Sequence, residues 1–99
     1  TVDVGNAAGE EQAVPFRAVI IPNPSGQGQG AQLWIDTESY QALYLKVFDV
    51  NGRLLSEEAF HGTPGRTVRD LPPVLALGVY SVVITDAGGG LLALKWVIL

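Results

Sequence analysis

The 99 residues have room for one domain and one modest core, burying roughly 65% of the unfolded surface. A hydrophobic share of 47% against 16% charged excludes a disordered chain, and ten acidic against six basic side chains leave no cationic field to draw in nucleic acid. With no cysteine, disulfides, thiolate zinc sites and cysteine nucleophiles are all excluded, so stability must come from packing.

Residues 1–13, TVDVGNAAGEEQA, mix small and acidic side chains without a sustained period and read as a flexible tether from an upstream domain. The folded domain is expected at 14–99, and the chain reads as a piece of a longer protein. A first strand is expected at Phe16 to Ile21. Pro22 and Pro24 remove two backbone donors and fix φ, which should end that strand and stop the chain from pairing onward. GQGQG at 26–30 resembles a phosphate loop only superficially, because a strand follows it where a helix amino end is required. In that strand Leu33 and Ile35 alternate with Gln32, Trp34 and Asp36.

LYLKVFDVNGRLL, residues 43–55, carries the strongest local signal. Asn51-Gly52 suits the two positive-φ centres of a type I′ turn, so 43–50 and 53–60 read as a hairpin. Leu43, Leu45 and Val47 then share one face. A calcium loop opening at Asp49 would need glutamate where Phe60 stands. Glu57 and Glu58 point to opposite faces and read as solvated edge charges. His61, the sole histidine, is expected in a surface loop. A short strand around Arg66 to Asp70 and a turn within 73–77 lead to GVYSVVIT at 78–85, which puts Tyr80, Val82 and Ile84 on one face. Residues 86–90 join it as a hairpin to LLALKWVI at 91–98. About seven antiparallel strands result, the number expected of an all-β, immunoglobulin-like sandwich.

No constellation among these residues carries catalysis, so no enzyme activity, metal or cofactor is expected. Trp34, Tyr40, Tyr44 and Trp96 could form a platform for sugar rings or a protein partner. Alternatively, Trp96 caps the core while the others cover sheet surface. Tyr80 should bury its ring and hydrogen-bond through its hydroxyl. Lys95 should face outward. No apolar run approaches the ~18 residues of a membrane span, so membrane insertion is not expected.

Four segments in order, IIPNPSG (20–26), LYLKVFDVNGRLL (43–55), LGVYSVVITDAGG (77–89) and LALKWVIL (92–99), together resemble the type A C-terminal sorting domain of the type IX secretion system of Bacteroidetes and their relatives. The resemblance spans about residues 15–99. It implies a non-catalytic immunoglobulin-like address domain at the end of a secreted cargo protein. Its partners would be the outer-membrane secretion machinery and a sortase-like peptidase, which commonly cuts upstream of the domain. The cargo would pass through the periplasm to the cell surface or medium. Pro22, Asn23 and Pro24 match the family's first motif, Gly52 the hairpin motif, Gly78 and Tyr80 the penultimate-strand motif, and Lys95, Trp96, Val97, Ile98 and Leu99 the terminal motif. The connector DLPPVLALG (70–78) is longer and more apolar than the family's usual link, and the chain lacks a second terminal basic residue. Such a domain would exist as a monomer or a strand-exchanged dimer, read by strand addition or in a shallow pocket. The alternative is an immunoglobulin-like or fibronectin-like accessory module that binds carbohydrate or a neighbouring domain.

Overall fold

The computed structural model describes residues 16–73 and 76–99. The expected tether at 1–13, and residues 74 and 75 of the expected turn at 73–77, lie outside the described residues. Seven strands follow in chain order: β1 (Phe16–Ile21), β2 (Gln32–Thr37), β3 (Gln41–Phe48), β4 (Leu54–Gly62), β5 (Gly65–Asp70), β6 (Gly78–Asp86) and β7 (Leu91–Ile98). They form a three-stranded sheet, β1-β2-β5, and a four-stranded sheet, β4-β3-β6-β7. Every ladder between these strands is antiparallel. This is an all-β, immunoglobulin-like sandwich, in which the chain changes sheet after β2, β4 and β5.

The period-two pattern decides which residues enter the core. Phe16, Ile20, Leu33 and Ile35 from one sheet meet Leu43, Leu45, Val47, Tyr80, Val82, Ile84, Trp96 and Ile98 from the other, all buried. Each such side chain removed from water contributes about 1.5–3 kcal/mol. Leu92 and Leu94 pack against this cluster half-buried. At the start of β6, the Tyr80 hydroxyl donates to the carbonyl of Ala76 at 2.8 Å. A tyrosine bonding back to the chain just upstream is the tyrosine corner of immunoglobulin-like sandwiches.

The β3–β4 turn differs from the expected two-residue type I′ loop. Gly52 N–H donates to the Asp49 carbonyl and Asp49 N–H to the Arg53 carbonyl, both at 3.0 Å, so three residues, Val50 to Gly52, form the loop. The cause is Asp49, whose carboxylate oxygen accepts from the backbone N–H groups of Asn51 and Arg53, each at 2.9 Å. That Asx geometry favours a type I turn ending on a left-handed residue, and Gly52 supplies it at φ 83°. The β6–β7 turn repeats the device with Asp86 and with Gly89 at φ 93°. In β4 the register shifts beside Val47 and Phe48, whose partners are Ser56 and Leu54, so Leu55 bulges.

Two further expectations need correction. His61 lies on β4, exposed and paired with Ala42, where a loop was expected; the strand runs on to Gly62 because Gly62 still pairs with Gln41. Glu58 is no solvated edge charge. It faces inward and forms an ion pair with Arg69 of β5, whose guanidinium lies 5.1 Å from the centre of the Phe60 ring, closing the sandwich on that side.

Candidate functional site

After β1 the chain does not stop pairing, as the two prolines suggested. It crosses to the other sheet and lies along the outer edge of β7. The prolines turn the chain, with cis peptide bonds at Ile21-Pro22 and Asn23-Pro24, and pairing resumes on a different strand. Asn23 makes the first rung with its side chain: Nδ2 donates to the carbonyl of Lys95 at 2.7 Å, and Oδ1 accepts from Val97 N–H at 3.0 Å. A carboxamide offers the donor and acceptor of a peptide group, so it substitutes for one. Backbone pairing then takes over, parallel to β7. Ser25 N–H donates to the Val97 carbonyl at 2.8 Å, Leu99 N–H to the Ser25 carbonyl at 2.9 Å, and Gln27 N–H to the Leu99 carbonyl at 3.0 Å.

Beneath this clamp runs a buried relay. Trp96 is 1% exposed and Ser25 2%. The indole Nε1 donates to Ser25 Oγ at 3.0 Å, and that hydroxyl donates to the Pro22 carbonyl at 2.5 Å. The Trp96 ring meets the Tyr80 ring at 5.7 Å between centroids, tilted by 49°. Each buried donor left without its acceptor would cost about 1–3 kcal/mol, so the relay holds its members together.

Pairing of Gly78 with Ile98, and of Phe48 with Ser81, sets the start of β6, the end of β7 and the β3–β4 turn at one end of the sandwich. Gly78 opens β6 at φ 147°. An apolar groove there is lined by Asp49, Val50, Leu55, Leu77 and Tyr80. The residues singled out as motifs, from Pro22, Asn23 and Pro24 through Gly52, Gly78 and Tyr80 to Lys95–Leu99, therefore gather at one end. Lys95 itself points outward and is exposed, offering only its backbone carbonyl to the clamp. Sequence reasoning missed Ser25. Its sole signal was its place directly after PNP.

The four aromatic residues do not converge. Trp96 is in the core, Trp34 on the outer face of the three-stranded sheet, Tyr44 on the outer face of the other sheet, and Tyr40, 75% exposed, between β2 and β3. The guanidinium of Arg66 covers Trp34 at 4.7 Å from the ring centre and forks onto Asp36 at 3.0 and 3.3 Å. That hydrogen-bonded arginine holds the Asp36 carboxyl below its ordinary range, and Asp36 raises Arg66 in turn. Asp49 is likewise lowered, chiefly by the Arg53 backbone N–H. Among the described residues no three His, Asp or Glu side chains gather as a metal site, and no helix is long and apolar enough to cross a membrane.

No family model and no curated protein matches the chain. Among solved structures, a β-glucosidase from Listeria innocua in complex with glucose is similar with a TM-score of 0.52 and 11% identity, over 84% of this chain and 16% of that one. A lipoprotein from Bacteroides thetaiotaomicron aligns with a TM-score of 0.49 and 14% identity, over 92% of this chain and 84% of that one. This chain thus spans only a small part, 16%, of the glucosidase, and the likeness shows the β fold alone.

Proposed function

We propose that this domain is a non-catalytic C-terminal sorting signal that directs an upstream cargo protein through the outer membrane by the type IX secretion system. The cargo passes through the periplasm to the cell surface or medium, with any peptidase cut falling in the upstream tether. The observation that supports this reading is the mutual dependence of segments far apart in sequence. IIPNPSG and LALKWVIL, which carry the resemblance separately, are bonded to each other through Asn23 and Ser25. LGVY reaches the same strand through Tyr80 on Trp96. A signal built this way is read only when folded, as shape and edge. Because Asn23, Ser25 and Gln27 already occupy β7 from Lys95 to Leu99, strand addition is blocked there and recognition has to use side chains or another edge.

The test is export. Residues 1–99 fused to a periplasmic reporter should carry it to the surface or medium of a host with a compatible type IX system. Reporter retained in the periplasm, folded, in a host that exports its own cargo would overturn the reading.

A further inference from the structure

At β5 the three-stranded sheet ends in an edge whose backbone pattern is fixed by the bond just past its ladder. Leu71 N–H donates to the Ala31 carbonyl at 2.9 Å, in the same register as the pairs from Gln32 with Asp70 to Thr37 with Gly65. Bonding direction alternates along an antiparallel strand, so Leu71, Arg69, Thr67 and Gly65 bond to β2, while Asp70, Val68 and Arg66 turn N–H and carbonyl outward. Among the described residues no hydrogen bond reaches those outward groups. The edge has neither the covering segment of β7 nor the bulge of β4. Pro64 and Pro72, which lack N–H groups, bound it at both ends.

On the outer face three rows cross this sheet in register. Val19, Trp34 and Val68 form the middle row, with Arg17, Asp36 and Arg66 on one side and Ile21, Gln32 and Asp70 on the other. Val19 is 49% and Val68 44% exposed. Asp36 takes the fork of Arg66, whereas Asp70 accepts from Gln32 at 3.4 Å and holds no ion pair among the described residues.

This pattern is complementary to itself. A second copy turned about a two-fold axis at Val68 meets the edge antiparallel, pairing Val68 with Val68, Arg66 with Asp70 and Asp70 with Arg66. At each of these pairs both backbones face outward, so every free N–H finds a carbonyl. The sequence of signs Arg17, Asp36, Arg66 then continues into the copy's Asp70, and the two apolar rows join through the valines. Other registers lose the match. Centring on Arg66 or Asp70 sets like charges together, and centring on Thr67 or Arg69 sets a charge against Val68 and brings a proline into the ladder. On β4, the neighbouring edge of the other sheet, Glu57 lies on the opposite outer face and Glu58 is held by Arg69, so neither carboxylate opposes the seam.

We infer that the chain forms a two-fold dimer in which β5 pairs with β5 of a second copy, joining two three-stranded sheets into one of six strands. The dimer stands apart from the sorting reading and does not fall with it. Its seam is one strand wide, so association is weak and depends on concentration.

Sedimentation of the 99-residue chain from about 10 µM to about 1 mM should show the weight-average mass rising towards twice that of the monomer. Over the same range Val68 N–H exchange should slow at least about fivefold, while that of Thr67, already bonded to β2, should not change. Asp70→Lys sets a cation against Arg66 and should weaken association at least about tenfold, as should Arg66→Glu. Mixing the two variants restores opposite charges at both positions and should restore association to near the parent's. Melting temperatures report whether each variant is folded, and Asp70→Lys decides alone if Arg66→Glu is not. A parent monomeric up to about 1 mM would overturn the dimer. A dimer that Asp70→Lys leaves intact, or whose Val68 N–H exchanges as in the monomer, would overturn this seam.

Discussion

The four-stranded sheet has two edges, and the molecule guards them by different means. Along β7, the segment from Asn23 to Gln27 satisfies the outward backbone groups of Lys95, Val97 and Leu99, using a side-chain amide for the first rung and backbone for the rest. Along β4, protection comes from chemistry on the strand itself: Glu57 outward, the bulge at Leu55, and Glu58 tied inward to Arg69. Both are recognised ways to blunt an edge. The charged edge needs no covering segment, and its one tie across the sandwich, Glu58 to Arg69, joins residues close in sequence. A covered edge makes the last strand depend on residues more than 70 positions earlier.

That difference is broken most severely at Trp96. Trp96→Ala removes a fully buried ring from beneath the clamp and should cost about 3–5 kcal/mol in urea unfolding, with Tyr80 losing its ring neighbour. Next comes Asn23. Asn23→Ala deletes both side-chain rungs and should cost about 1–2 kcal/mol. Asn23→Asp should be worse than alanine near neutral pH, because it sets a carboxylate oxygen against the Lys95 carbonyl. Protonation restores a donor, so the penalty should shrink as pH falls. An aspartate variant as stable as the parent at pH 7 contradicts the assigned bonds.

Away from the clamp the effects are smaller. Gly52→Val forces a β-branched residue to φ 83° and should cost about 1–2 kcal/mol; a loss below about 0.5 kcal/mol would contradict the turn. Asp36 and Asp49 have carboxyls lowered in the fold, so their stabilisation is complete above the ordinary aspartate range near pH 4 and is lost as pH falls through their lowered folded values. Acid titration of Asp49→Asn should accordingly show a shallower loss than the parent below pH 4. On the β4 edge, Glu58→Gln should change stability by less than about 1 kcal/mol, since that ion pair remains partly exposed. Lys95→Ala should shift it by less than about 0.5 kcal/mol while lowering export.

The strands were legible because one face of each had to be apolar: Leu33 and Ile35, then Leu43, Leu45 and Val47, then Tyr80, Val82 and Ile84 all entered the core as their alternation required. The hairpin at Gly52 was legible in place and not in type. The dipeptide Asn51-Gly52 signals a turn, but the acceptor two residues before Asn51, the Asp49 carboxylate, selects its geometry. What could not be read was where the chain goes after PNP. Proline says only that a donor is missing. Whether the next residue meets water or another strand depends on a contact between positions 25 and 98 that no local pattern encodes. Ser25 was invisible for the same reason, its hydroxyl being needed by an indole 71 residues away.

The clamp can be tested directly by amide hydrogen exchange on the 99-residue chain. Val97 and Ala93 both turn their N–H groups to the outer edge of β7, and Val97 alone meets Asn23. Val97 should exchange at least about tenfold more slowly than Ala93 in the parent, and the difference should vanish in Asn23→Ala while Val82 in the core stays protected. Equal exchange of Val97 and Ala93 in the parent would mean that the terminal strand is not held by the PNP segment.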